Sequence, residues 1–294
     1  MADEFERWRR DGRTFQHAGH AIFYRLDGDG PALVAIHGFP SASWDWHPMW
    51  PELTARFRVL APDMIGFGWS AKPRRHAYSI MDQASLHEEI LRQLGIDRVH
   101  VLAHDYGDTV AQELCARHDD RARRGEKGLA IESICLLNGG LFPETHRPRL
   151  IQKLLASPIG WLVGRLASKR AFASGLIAIF GPKTPPSPQL IDELWTLFRH
   201  NDGHLVVHHL IGYMAERRRH RERWVGALQR TKVPLRVIDG SLDPISGAHM
   251  VARYRELVPD PNAVELPEIG HYPQVEDPAG VLRAFLAFHD RLSV

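Results

Sequence analysis

The sequence predicts an α/β fold: a mostly parallel sheet with helices on both faces and one helical insertion. Three observations predict it. Short apolar, β-prone runs alternate with amphipathic helical stretches, which is the rhythm of a parallel sheet built through crossover helices. The run ALVAI at Ala32–Ile36 is apolar without alternation, as a strand covered on both faces requires. The rhythm stops near residue 140, gives way to helical patterning as far as 231, and then resumes. The expected division is therefore a core made of 1–140 and 232–294, with a helical cap at 141–231 inserted between its halves.

Taken in order, residues 13–18 and 21–26 are β-rich and flank Gly19-His20, which suits an N-terminal hairpin. Ala32–Ile36 runs directly into His37-Gly38-Phe39-Pro40, where Gly38 is expected to permit a positive φ and Pro40 to stiffen the turn. Residues 57–61 form the next strand, followed by Pro62-Asp63 and the loop Gly66-Phe67-Gly68-Trp69-Ser70, whose glycines shape a turn better than they bind phosphate. Ile80, Ala84, Leu86, Ile90, Leu91 and Leu94 recur at helical spacing, and Gly95 closes that helix. Val99, Val101 and Leu102 mark a buried strand, and apolar residues from Thr109 to Cys115 mark the helix after it. The charged run 117–127 (RHDDRARRGEK) reads as a solvated loop. Residues 131–137 form a strand ending at Asn138-Gly139-Gly140. Within the cap the breaks fall at Pro158, Gly181-Pro182 and 185–188, and the run 217–223 (RRRHRER) reads as a solvated helix face. Strands at 235–238 and at Ala263–Leu266, with helices at 249–257 and 281–292, complete the chain.

Composition narrows the function classes. With 294 residues, 44% hydrophobic and a formal charge of +2, the chain can bury a large core and shows no bias toward nucleic acid. Its two cysteines, Cys115 and Cys135, lie in apolar segments, so a reducing, cytoplasmic setting is expected. The start MADEFERWRR lacks the basic-then-apolar form of a signal peptide. No apolar run reaches the ~20 residues of a spanning helix, although the greasy segment 154–180 leaves peripheral membrane contact open. No metal-ligand spacing and no nucleotide fingerprint occur, so no cofactor and no metal are expected.

The residues that carry chemistry lie at strand ends. Between the strand at Val99 and the helix at Thr109 stands His104-Asp105-Tyr106-Gly107. A strand, a sharp turn and a helix place Asp105 at the tip of a nucleophile elbow, with Asp where esterases carry Ser. A carboxylate is ionised at neutral pH and attacks an alkyl carbon without a base to activate it. After the strand at 235–238 comes Gly240-Ser241-Leu242-Asp243-Pro244, and after Ala263–Leu266 comes Gly270-His271-Tyr272-Pro273. Open α/β sheets place their sites at this edge, so Asp105, Asp243 and His271 fall on one rim in the order nucleophile, acid, histidine.

HGFP, HDYG, the GSLDP loop and GHYPQVEDP resemble the α/β-hydrolases of the branch holding epoxide hydrolases and haloalkane dehalogenases, over nearly the whole chain. NGGLFPETHRP (138–148), NDG (201–203) and RERWVGAL (221–228) are similar to the group of the mesoderm-specific transcript proteins and their bacterial relatives. The resemblance implies an α/β-hydrolase fold with a helical cap and an Asp-His-Asp triad. In the implied mechanism Asp105 forms an alkyl-enzyme ester. His271, oriented by Asp243, then activates the water that cleaves it. The backbone N–H groups of Phe39 and Tyr106 would hold the oxyanion.

The leaving group separates the readings. Epoxide opening needs an acidic O–H donor. The family usually supplies two cap tyrosines, of which Tyr213 stands at one position and none at the other. Halide release needs N–H donors. Dehalogenases usually carry Trp directly after the nucleophile, or Asn directly after HG; Tyr106 and Phe39 depart from both, leaving the Trp44 indole as an alternative. His104 is a further candidate for contact with substrate. The expectation is epoxide hydrolysis to a diol, with haloalkane dehalogenation, or a non-catalytic binding module on this fold, as alternatives. The expected partners are a small apolar substrate and water as co-substrate.

Overall fold

A computed structural model describes residues 2–292. Eight strands form one sheet: β1 (Arg13–His17), β2 (His20–Asp27), β3 (Ala32–Ile36), β4 (Arg58–Pro62), β5 (Arg98–His104), β6 (Ala130–Leu137), β7 (Leu235–Gly240) and β8 (Ala263–Leu266). Their spatial order is β1-β2-β4-β3-β5-β6-β7-β8. β2 pairs antiparallel with β1 and β4, and every other pairing is parallel. Registers such as Val34 with Val101, Val101 with Ile134 and Leu137 with Ile238 bring the carboxyl ends of β3, β5, β6 and β7 to one rim.

The apolar runs of the central strands feed two cores, because successive side chains point to opposite faces of a sheet. Val34, Ile36, Val101, Ala103, Ile134 and Leu136 pack on one side, under the helices Ile80–Gln93 and Tyr106–Arg124. Leu33, Ala35, Leu102, Cys135, Leu137 and Ile238 pack on the other, under the helix Pro278–Leu292. Both cysteines are buried and unpaired. An N-terminal helix, Ala2–Arg10, was not legible in the sequence. It lays Phe5 and Trp8 edge-on against Trp44, at centroid distances of 5.2 and 5.5 Å.

The charged run after Arg117 is not a loop. The helix begun at Tyr106 continues to Arg124 and ends at Gly125 in the left-handed region. Arg117 donates to Glu113 at 2.8 Å and to Glu88 at 2.7 Å, and Arg121 donates to Glu88 at 2.6 Å. These ion pairs knit the two neighbouring helices together, so the charges serve an interface between elements. Between β6 and β7 the described chain forms helices only, from Leu150–Leu155 to Arg221–Arg230. No helix among the described residues is long and apolar enough to cross a membrane.

Candidate active site

β5 ends at His104, and Asp105 follows with φ 47° and ψ −102°, a conformation that costs a non-glycine residue free energy. The surroundings hold it there. The Asp105 N–H donates to the Leu137 carbonyl at 3.1 Å, and the helix starts immediately at Tyr106. Gly107 is needed for closeness and not for a positive φ: a Cβ there would stand 2.4 Å from the Ile36 carbonyl oxygen. The same holds at Gly38, where the expectation of a positive φ is not met. Its absent side chain makes room for His104, whose Nδ1 would lie 2.5 Å from a Cβ.

The Asp105 side chain is buried and faces three groups. The Phe39 N–H donates to Oδ2 at 3.2 Å, His271 Nε2 stands 3.9 Å from the same oxygen, and Arg217 Nη2 lies 3.6 Å from Oδ1. Burial alone would raise its pKa, but the charges of His271 and Arg217 outweigh this and hold it below the usual carboxylate range. The candidate nucleophile is therefore anionic at neutral pH.

On the neighbouring loops, His271 Nδ1 and Asp243 Oδ2 are 2.7 Å apart. Asp243 is fixed by the Ile245 N–H at 2.7 Å, the Ser246 N–H at 3.1 Å and the Ser246 hydroxyl at 2.9 Å. Burial disfavours a charge on His271, yet the Asp243 charge and hydrogen bond, joined by the Asp105 charge, prevail and raise it to about 9. The imidazole is thus cationic while Asp105 is ionised.

Two residues that pattern reasoning did not single out complete this frame. Asn138, with φ 46°, donates to the Gly240 carbonyl at 3.1 Å and to Asp243 Oδ2 at 3.2 Å, and accepts from the Gly240 N–H at 2.8 Å. It stitches β6 to the loop of Asp243. Arg217 was read as part of a solvated run, and the structure overturns that reading. It is 2% exposed, donates from Nε to Thr109 at 2.7 Å and from Nη2 to the Asp105 carbonyl at 2.9 Å, and lies 4.4 Å from the centroid of the Tyr213 ring. The signal was its spacing, one helical turn after Tyr213.

Tyr213 is buried against Tyr106 and Phe39, with ring centroids 5.0 and 6.1 Å away. Its hydroxyl has Arg217 and Gln152 as polar neighbours but makes no well-formed hydrogen bond, and neither do Arg217 Nη1 or the ring nitrogens of His146, among the described residues. Burial first, then the charge of Arg217, lowers His146 to about 4, so it is neutral. Two expected contacts are not made. The Trp44 indole donates to Glu193 at 2.9 Å and its ring stacks on His47, which turns it toward the N-terminal helix. His104 Nε2 donates to the His271 carbonyl at 2.7 Å, and burial lowers its pKa to about 3; a neutral His104 braces the loop of His271.

Known proteins resemble this chain in sequence and in fold. Residues 31–125 match the family model described as alpha/beta hydrolase fold. The mesoderm-specific transcript protein of Mus musculus is 44% identical over 292 residues, covering 96% of this chain and 86% of that protein. A putative hydrolase, LipZ, of Mycobacterium tuberculosis is 40% identical over 281 residues, covering 95% and 96%. Among solved structures, the haloalkane dehalogenase DatA of Agrobacterium tumefaciens superposes with a TM-score of 0.78 at 19% identity, covering 96% of each chain. The epoxide hydrolase CorEH superposes with a TM-score of 0.76 at 20% identity, covering 96% of this chain and 99% of that one. At such identities the structural likeness speaks for the fold alone.

Proposed function

We propose, from the premise that this chain belongs to the α/β-hydrolase family together with the mesoderm-specific transcript proteins, that it hydrolyses epoxides to diols through an ester on Asp105. The observation that carries this reading is the ionised carboxylate at the elbow, within reach of one backbone N–H, one histidine and one arginine. An aspartate attacking an acyl carbon would give an anhydride, whereas attack on a saturated carbon gives a stable ester.

In the first step an Asp105 oxygen bonds to an epoxide carbon, the C–O bond of the ring breaks, and the ring oxygen leaves as an alkoxide. That oxygen takes its proton from the Tyr213 hydroxyl. Burial and then the Asp105 charge make Tyr213 a weak acid at rest, while Arg217 favours its phenolate. Ester formation removes the Asp105 charge, so Tyr213 becomes more acidic as the alkoxide develops. Arg217 Nη1 supplies an N–H as the second donor to that oxygen, in the role of the missing second tyrosine.

In the second step His271 gives the proton it holds at rest to the Tyr213 phenolate by way of solvent, restoring the hydroxyl, and then takes a proton from the water whose oxygen attacks the ester carbonyl. Loss of the Asp105 charge also removes one of the influences that keep His271 protonated, so the base becomes available after the first step. The Phe39 and Tyr106 amides stabilise the oxyanion, each worth about 3 kcal/mol in comparable sites. Collapse releases the diol and restores the carboxylate.

A second reading draws on one observation. A buried guanidinium with an unpartnered Nη1 also suits a halide, so dehalogenation through the same ester stays the alternative. A single turnover in heavy-oxygen water tests the route. The reading expects the label in the Asp105 peptide and unlabelled diol from the first turnover. Label in the diol alone would mean that water attacks the substrate directly.

A further inference from the structure

The outer side of the helical insertion carries an unusual surface. Of the ten large apolar side chains exposed among the described residues, eight lie between Leu150 and Ile177. Leu150 is 72% exposed, Leu166 71% and Trp161 54%. Soluble proteins rarely leave so dense a group of large apolar residues in water without a use for it.

These helices are built inside out. The helix Leu150–Leu155 buries Gln152 and Leu155, and the helix Gly160–Arg165 buries only Gly160 and Gly164. A Cβ on Gly160 would stand 1.9 Å from the Leu155 carbonyl oxygen, and one on Gly164 2.4 Å from that of His204. Backbones pack too closely there to admit larger inward side chains. Of the large apolar residues of these two helices only Leu155 is buried and Val163 half-buried, while Leu150, Ile151, Leu154, Trp161 and Leu162 are exposed.

The charge pattern says what covers them. From 147 to 177 the chain has six cations, Arg147, Arg149, Lys153, Arg165, Lys169 and Arg170, and no Asp or Glu. All six are exposed, and Lys169 reaches Asp192 beyond the patch at 2.6 Å. A second copy of the chain is a poor occupant, because a two-fold contact would press this cationic surface against itself. Exposed Leu, Ile and Trp rimmed by Lys and Arg match the chemistry of an anionic bilayer surface.

We propose that residues 147–177 are a docking face for an anionic lipid surface, seating Leu150, Ile151, Trp161 and Leu166 at the acyl boundary and the cations among the headgroups. The inference does not depend on the reaction assigned above. It has a consequence for access, since Gln152, on the inward side of the first of these helices, is a polar neighbour of the Tyr213 hydroxyl. A docked bilayer would lie just outside that wall of the candidate site.

Flotation of the full chain with vesicles tests the proposal, using phosphatidylcholine alone or with about 30% phosphatidylglycerol. The expected result is flotation with the anionic vesicles, falling about tenfold when salt is added, and little with the neutral ones. Two triple variants, Leu150→Ser/Trp161→Ser/Leu166→Ser and Lys153→Glu/Arg165→Glu/Arg170→Glu, should each lose about tenfold in flotation with unchanged melting temperatures. No flotation with anionic vesicles, equal flotation with neutral ones, or variants that bind like the parent would overturn it. A dimer in sedimentation equilibrium that the serine variant breaks would also overturn it, in favour of a second copy.

Discussion

At the scale of single residues, the account turns on charges that change during the reaction. Asp105→Asn removes the attacking charge while keeping the shape of the side chain. It should lower turnover of an epoxide by about a thousandfold or more with little change in the melting temperature. Arg217→Met should lower the rate of ester formation by about a hundredfold, and it should raise the pKa of the acid limb of that step, because the Arg217 charge helps keep Asp105 ionised. Arg217→Lys, which restores a cation without the fork of donors, should return that pKa toward the parent value more completely than it returns the rate. Rapid-quench measurement of ester formation against pH reads both quantities. An Arg217→Met variant with a normal rate and a normal acid limb would reduce Arg217 to a structural strut between Thr109 and the Asp105 carbonyl.

At the scale of elements, the elbow depends on how closely a helix approaches a strand. Gly107→Ala sets a methyl group 2.4 Å from the Ile36 carbonyl oxygen, and backbone cannot give way as a side chain can. It should destabilise the fold by about 2 kcal/mol and shift Asp105 from its neighbours, visible as a lower urea midpoint and a lower activity. Sequence reasoning reached the elbow because strand, turn and helix differ in local period, which needs no knowledge of the partner. The same holds for β3 and for the loops of Asp243 and His271, each marked by a short β-prone run with a glycine two to four residues beyond its end. It missed Arg217 because a run of arginines looks the same whether the helix turns it to water or to a carboxylate. Tertiary contacts fix that rotation, the packing of Tyr213 on Phe39 and Tyr106 and the bonds of Arg217 to Thr109 and the Asp105 carbonyl. The helix after Arg117 read as a loop because Glu88, which pairs with both Arg117 and Arg121, lies on another helix and meets them only in the fold; the local pair of Glu113 with Arg117 was the one signal within reach. Trp44 fails as a halide donor on equally remote grounds, a bond to Glu193 far along the chain.

At the scale of the whole molecule, one rim of the sheet gathers loops from β3, β5, β6, β7 and β8, and the helical insertion delivers Tyr213 and Arg217 to it. The buried charges make stability depend on pH. His271 has a folded pKa of about 9 against the ordinary 6.5 of an imidazole, so the folded state binds this proton more tightly. That contribution is complete below 6.5 and is lost as the pH rises through about 9. The stability advantage of the parent over His271→Gln should therefore shrink between about pH 6 and pH 9.5, as urea midpoints would record. An advantage that grows over that range would mean that His271 is neutral in the resting protein. The same variant gives the most direct test of the proposed ester, because it keeps the Asp105 carboxylate, with Arg217 still beside it, and removes the proposed base of the second step. Incubated with small terminal epoxides and weighed intact, it should gain the mass of one whole epoxide, mapped to the peptide of Asp105. An unmodified Asp105 peptide, from a folded variant whose parent turns the same epoxide over, would contradict an ester on this residue.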